Sequence, residues 1–206
     1  MPLSPEDIVS VHVGDGSSAE WLNQRKFKPK LTIVESNPAW PQRFLDIKTR
    51  IEAALGSTAV AIHHAGSTSV PGLPAKDIID VDLVVKDIMD EGSYVAALES
   101  LGFVFLIREP DWYQHRFFFD EENRPNAYFI NLHVWGPDCP EVERHRIFRD
   151  WLSKSPKDLQ LYANVKRECA SASEAAGESM EEYTLRKGKA IQEIMDRAFR
   201  DLGYIK

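Results

Sequence analysis

The stretch His64-Ala65-Gly66-Ser67-Thr68-Ser69-Val70-Pro71-Gly72-Leu73-Pro74-Ala75-Lys76-Asp77-Ile78-Ile79-Asp80-Val81-Asp82-Leu83-Val84-Val85 decides how this 206-residue chain is read. A short apolar run, Val60-Ala61-Ile62, leads into a Gly-Ser turn, and twelve residues separate Ser67 from the Asp-x-Asp pair. Small turn residues let backbone N–H groups approach phosphate oxygens. Carboxylates two residues apart on a strand point to one face, where both can hold a divalent cation. Turn, spacing and acid pair together are the order a nucleotidyl-transfer site needs.

Asp80 and Asp82 lie within Ile78-Ile79, Val81 and Leu83-Val84-Val85, so the strand reads as covered on both faces. Two buried carboxylates repel each other unless a cation neutralises them, which makes both candidate Mg2+ ligands as well as catalytic residues. The competing reading is a wet strand end. Gly66 and Ser67 are expected to contact a phosphate tail, with Thr68 and Ser69 as further hydroxyl donors; the alternative is an ordinary tight turn. Lys76 is either a phosphate partner or a surface lysine.

Outward from this segment, Phe44, Ile47, Ile51, Ala54 and Leu55 repeat at helical spacing over Pro41–Leu55, with Gly56 as a stop. Val60–His63, Ile78–Val85, Phe103–Ile107, Arg116–Phe119 and Tyr128–Val134 read as strands, and 92–101 as a helix closed by Gly102. Residues 141–153, 156–171 and 179–200 read as helices, the second with Ser155 as N-cap and Pro156 in its first turn. The order predicts an α+β domain over residues 31–206: a mixed sheet with helices on one side and a helical C-terminal half. Residues 1–30, with Gly14-Asp15-Gly16-Ser17-Ser18, read as an arm that is either ordered or flexible.

On the last strand, alternation places Phe129, Asn131 and His133 on one face. His133 is a metal ligand, an acid–base group or a core histidine; pairing of its strand beside the Asp-x-Asp strand favours the functional roles. Arg116 suits anion binding, with His115 on the opposite face and Trp112 nearby. Arg144, His145, Arg146 and Arg149 read as a solvated helix face paired with Glu141 and Glu143. Tyr162, Lys166, Tyr183 and Lys187 either line a cleft or pack the helical half.

A formal net charge of -7 argues against indiscriminate nucleic-acid or membrane binding, although Arg25, Lys26, Lys28 and Lys30 form a local basic cluster. Cys139 and Cys169 form no CxxC pair, which fits a reducing compartment. With no apolar leader and no membrane-length run, a cytoplasmic protein is expected, with no membrane contact and no stable protein partner.

Taken together these residues resemble the GrpB family, placed in the nucleotidyltransferase superfamily. The resemblance runs from about Ile33 to about Asp196 and rests on Asn37-Pro38-Ala39-Trp40 with Phe44, His64 to Leu73, Lys76 and Ile78 to Asp82. It extends through His115-Arg116-Phe117, Leu132-His133-Val134, Phe148 to Leu152 and Tyr162 to Lys166. The resemblance implies a nucleotidyltransferase-like fold in which Gly66 and Ser67 hold a nucleotide triphosphate and Asp80 and Asp82 hold Mg2+. Some bacterial members are fused to dephospho-coenzyme A kinase.

Two departures stand out. Asn131 and His133 occupy the strand where active nucleotidyltransferases commonly add a third carboxylate. Asp77 follows Lys76 where family members often have proline. The chain also resembles a fungal branch on this scaffold that condenses aminoacyl-tRNAs into arginine-containing cyclodipeptides. On that reading Asp80 and Asp82 hold the guanidinium, His133 moves protons and the basic cluster touches tRNA. The expected function is therefore a transferase acting on a nucleotide or nucleotide-bearing substrate, with an aminoacyl-tRNA-dependent synthase or a non-catalytic ligand-binding module as alternatives.

Overall fold

The computed structural model describes residues 3–10, 16–25, 31–120 and 128–206. Helix α1 (Pro5–Val9) and strand β1 (Glu20–Trp21) precede α2 (Trp40–Leu55), β2 (Ala59–Ala65), β3 (Ile78–Val85), α3 (Val95–Ser100) and strands β4 (Phe103–Glu109), β5 (His115–Asp120) and β6 (Phe129–Trp135). Three long helices close the chain: α4 (Pro140–Lys154), α5 (Pro156–Ala176) and α6 (Met180–Asp201). The six strands form one mixed sheet in the order β1-β4-β5-β6-β3-β2. Among the described residues β3 and β6 pair in parallel and the other neighbouring strands pair antiparallel.

This is an α+β architecture consistent with a nucleotidyltransferase-like fold, and it differs from expectation in one respect: helices flank both faces of the sheet. Ile79, Val81, Leu83 and Val85 of β3 and Ile130, Leu132 and Val134 of β6 pack with Ile47 and Ile51 of α2 and Leu98 of α3. That alternation makes one face apolar, and each fully buried aliphatic side chain contributes about 1.5–3 kcal/mol. The opposite face carries Asp80, Asp82, Asn131, His133, His115 and Phe117, and the C-terminal helices approach this side. Pairing puts Asp80 beside Asn131 and Asp82 beside His133 on β6, with Phe117 of β5 opposite His133.

Ser155 does cap α5, accepting from the Asp158 amide, with Pro156 in the first turn. Within residues 1–30, Ile8 of α1 is buried against Ile147, Met195 and Phe199, and Arg144 donates to the Ile8 carbonyl at 2.8 Å. β1 joins the sheet through β4, and Asn23 donates to the Phe105 carbonyl at 2.8 Å. Lys26, Lys28 and Lys30 lie outside the described residues.

Candidate functional site

A cleft of about 370 Å3 opens over the polar face of the sheet, lined by Gly66, Ser67 and Thr68 of the turn, Lys76, Asp80, Asn131, His133 and side chains of the C-terminal helices. Gly66 is required by geometry. Its φ of +63° and ψ of −169° fall in a region that essentially only glycine adopts, and a β-carbon there would lie 2.1 Å from Asp80 Oδ2. The turn therefore passes directly over the Asp80 carboxylate.

The hydroxyls of the turn divide their work. Thr68 Oγ1 donates to the Ile78 carbonyl at 3.1 Å and contacts His64 Nε2 at 3.0 Å, pinning the turn to the start of β3. His64 in turn stacks on Phe44 of α2. Ser69 donates back to the Gly66 carbonyl at 2.6 Å. Ser67 lines the cleft beside Tyr162.

The two aspartates differ. Asp80 is half-buried, lines the cleft and accepts from Asn131 Nδ2 at 2.7 Å. Asn131 Oδ1 accepts from Arg25, whose guanidinium lies over the Phe119 ring. Asp82 is 1% exposed and sits beneath the cleft floor. Its Oδ1 accepts from Trp135 Nε1 at 2.9 Å and its Oδ2 from His145 Nδ1 at 2.8 Å. The Asp82 carboxylate pushes His145 up to about 9 despite burial. Although burial opposes it, Asp82 itself is held below the usual carboxylate range, chiefly by His145. The pair is therefore an internal ion pair at neutral pH.

The donors as arranged do not fit the Mg2+ expected on Asp80 and Asp82. Both oxygens of Asp82 already accept hydrogen bonds, one of them from a cation, which leaves only Asp80 of the pair to offer its carboxylate to a hard cation. Asn131 and His133 supply no third carboxylate, and among the described residues no group of three or more His, Cys, Asp or Glu is placed to hold a metal. No chemical step is routed through a metal below.

Cationic side chains dominate the cleft. Lys76, Lys166 of α5 and Lys187 of α6 all line it, against one cleft-lining carboxylate among the described residues, that of Asp80. Lys76 and Lys187 lie over the Tyr183 ring at 4.9 and 4.3 Å, and Lys166 donates to the Pro74 carbonyl at 2.6 Å. Burial, reinforced by Lys76, pushes Lys187 down to about 8. Lys166 is displaced further, by burial and then by its two lysine neighbours. The fully buried Tyr183 hydroxyl has no hydrogen-bond partner among the described residues. Burying a hydroxyl unpaired costs about 1–3 kcal/mol. Tyr162, Lys166, Tyr183 and Lys187, left undecided by sequence, both pack the helical half and line the cleft.

Other expected residues are placed elsewhere. Arg116 faces the opposite side of the sheet, where its Nε donates to Glu91 at 2.7 Å and Arg108 grips the same carboxylate. Asp77 does not enter the cleft: it accepts from Trp40 Nε1 and from Arg43, both at 2.6 Å, tying α2 to the sheet. His145 corrects the reading of its helix face. Arg144 and Arg146 do pair with Glu141 and Glu143, but His145 turns inward to Asp82. His115 sits 3.0 Å from His133, on the cleft side as alternation opposite Arg116 requires.

Burial leaves three histidines neutral: His64 and His133 are pushed down to about 4 and His115 to about 3. Unfolded imidazoles take up protons near 6.5, so between 6.5 and about 4 the unfolded chain binds more protons than the folded one. Stability should therefore fall as pH drops through this window. Urea midpoints at pH 7 and pH 5 check this, and an equal or higher midpoint at pH 5 would contradict it.

A model of the GrpB protein family matches residues 30–197. A UPF0157 protein of Halalkalibacterium halodurans is 39% identical, the match covering 96% of this chain and 93% of that protein. A UPF0157 protein of Pseudomonas aeruginosa is 35% identical over 82% of this chain and 68% of its own length. The crystal structure of a conserved GrpB protein from Enterococcus faecalis superposes with a TM-score of 0.67 at 23% identity, covering 83% of this chain and 99% of that one. A dephospho-CoA kinase of Mycolicibacterium paratuberculosis is 26% identical, the match covering 81% of this chain but only 46% of that enzyme. Among the described residues no helix is long and apolar enough to cross a membrane.

Proposed function

This chain belongs to the GrpB family, and from that premise we propose that it is a transferase whose cleft takes a phosphate-bearing substrate, a nucleotide or a nucleotide-linked molecule such as an aminoacyl-tRNA. The observation that carries this reading is the convergence of Lys76, Lys166 and Lys187 on one side of a glycine-dependent turn, facing a single cleft-lining carboxylate. A phosphate anion brought among these amines gains charge-assisted hydrogen bonds in a partly dehydrated site. It also stabilises the protonated form of Lys187, whose pKa of about 8 leaves it partly neutral when the cleft is empty.

The likeness to part of a dephospho-CoA kinase supports a nucleotide-related role. It does not carry kinase chemistry across, because this chain contains no G-x-x-x-x-G-K-[ST] phosphate loop. The arginine-binding variant of the synthase reading is disfavoured by the same geometry. Asp82 is already paired with His145, and a guanidinium at Asp80 would enter among three lysines.

The test is a thermal-shift screen with nucleoside triphosphates, inorganic triphosphate, free arginine and aminoacyl-tRNA. A ligand at ~100 times its Kd stabilises by about 2.7 kcal/mol. Stabilisation by phosphate-bearing compounds, lost in Lys76→Met/Lys187→Met, is the expected result. Stabilisation by free arginine without any phosphate compound would overturn it.

A further inference from the structure

A row of side chains crosses three neighbouring strands on the cleft side of the sheet. Glu109 Oε2 on β4 lies 2.7 Å from His115 Nδ1 on β5, and His115 Nε2 lies 3.0 Å from His133 Nδ1 on β6. His133 lines the cleft at one end. At the other end the Glu109 side chain is 28% exposed to solvent. Trp135 stacks on His115 at 4.2 Å and Trp112 meets it edge-on at 4.7 Å, so the middle of the row is shielded from water.

A local irregularity aims Glu109 into this row. Phe103 and Phe105 of β4 face the apolar core, and strict alternation would send Glu109 to the same face. The register shifts between Phe105 and Ile107, so that Glu109 pairs with His115 while Arg108 pairs with Arg116 on the other face. A bulge that re-aims a side chain is often found beside a functional site.

The row fixes where its protons sit. With Glu109 ionised, the proton of the first contact is on His115 Nδ1. A neutral His115 then presents a lone pair at Nε2, and the proton of the second contact is on His133 Nδ1. A neutral His133 is thereby left with its lone pair on Nε2, the nitrogen not used by the row.

We infer that Glu109, His115 and His133 form a proton relay, with His133 Nε2 as the general base that deprotonates the substrate's nucleophile and His115 and Glu109 as positioning residues. The inference rests on the cleft being the substrate site proposed above. The step balances without a further reactant. The substrate O–H or N–H proton passes to His133 Nε2 as the electron pair it leaves bonds to the transferred group, and the bond from that group to its leaving group breaks, the leaving group departing with the pair. The Nδ1 proton of His133 moves to His115 Nε2 and that of His115 to Glu109; the same shifts in reverse restore both tautomers as the leaving group takes the proton from His133 Nε2.

Long-range 1H–15N correlation on the uniformly labelled, ligand-free full chain at pH 7 tests the arrangement. The expected result is that His115 and His133 both carry their proton on Nδ1. A His133 protonated on Nε2 would overturn the relay. In His115→Phe, which keeps a ring but removes the acceptor, His133 should switch to the Nε2–H form; retention of Nδ1–H there would equally count against it. Diethyl pyrocarbonate gives a measurement on the native chain that needs no variant. Acylation mapped by mass spectrometry should mark His133 and spare His115, and an unmarked His133 contradicts the assignment. None of these readouts uses a phosphate ligand, so a relay that fails leaves the phosphate reading standing, and a cleft that binds no phosphate leaves the tautomers unchanged.

Discussion

Gly66→Ala should destabilise the protein by about 4 kcal/mol and abolish ligand binding in whatever fraction stays folded. Two costs combine. The residue holds φ +63° with ψ −169°, a conformation that costs a non-glycine residue about 1–3 kcal/mol. The new methyl would also lie 2.1 Å from Asp80 Oδ2, 2.8 Å from Cγ and 2.9 Å from Cβ, and relieving such overpacking costs about 1–3 kcal/mol more. Asp80 cannot retreat freely, because its Oδ1 holds Asn131 at 2.7 Å. Gly72→Ala is the control. Its φ is also positive, at +78°, but nothing lies within 4 Å of an added β-carbon, so about 1 kcal/mol is expected from the backbone alone. Urea unfolding of both variants measures the difference, and equal losses would show that the turn does not rest on Asp80.

Asp82→Asn should cost about 3 kcal/mol at pH 6.5 and change the shape of the stability profile. Removing one member of a buried ion pair typically costs 3–5 kcal/mol, and here His145 can shed its proton to recover part of that. The pair's own share of the wild-type profile follows from its two titrations. The folded pKa of His145 is raised from 6.5 to about 9, so its contribution is fully present below 6.5 and is lost as pH rises toward 9. Asp82 is depressed, so its share is present above 3.8 and is lost as pH falls below that value. At 1.36 kcal/mol per pKa unit the alkaline loss is bounded near ~3 kcal/mol. With the His145 ring one-third exposed, about 2 kcal/mol is the expected size. Lys166 and Lys187, held below their ordinary range, oppose this decline in both proteins, so chemical denaturation of wild type and Asp82→Asn between pH 6.5 and 9.5 isolates it as a stability gap that narrows by about 2 kcal/mol. A gap that stays constant would mean that His145 is not charged by Asp82.

How much of this was legible in sequence depends on whether local spacing or tertiary packing decides each residue. The face shared by Asp80 and Asp82 follows from the period of a strand, and the special role of Gly66 follows from its place in a tight turn. The same period put Asn131 and His133 together and His115 opposite Arg116. What spacing could not show is which acid is open to the cleft. Trp135 and His145 close off Asp82 from a neighbouring strand and a distant helix. His145 itself was hidden in a charged run whose neighbours do form i,i+3 pairs on the surface. Arg116 was assigned by residue type, and only the position of Glu91 across the sheet shows why it turns away. Glu109 carried no signal at all, because the bulge in β4 reverses the alternation that a sequence reading must assume. Lys166 and Lys187 sit on helices whose docking over the sheet no local pattern encodes.

On the proposed function a lysine-lined cleft, rather than a carboxylate-bound metal, holds the substrate's phosphate. The decisive measurement is isothermal titration of inorganic triphosphate into the full chain, with EDTA present throughout. The expected result is saturable binding in EDTA that is lost in Lys76→Met/Lys187→Met and retained in Lys154→Met, a lysine remote from the cleft. Binding that appears only when Mg2+ is supplied, and that survives removal of the cleft lysines, would contradict it.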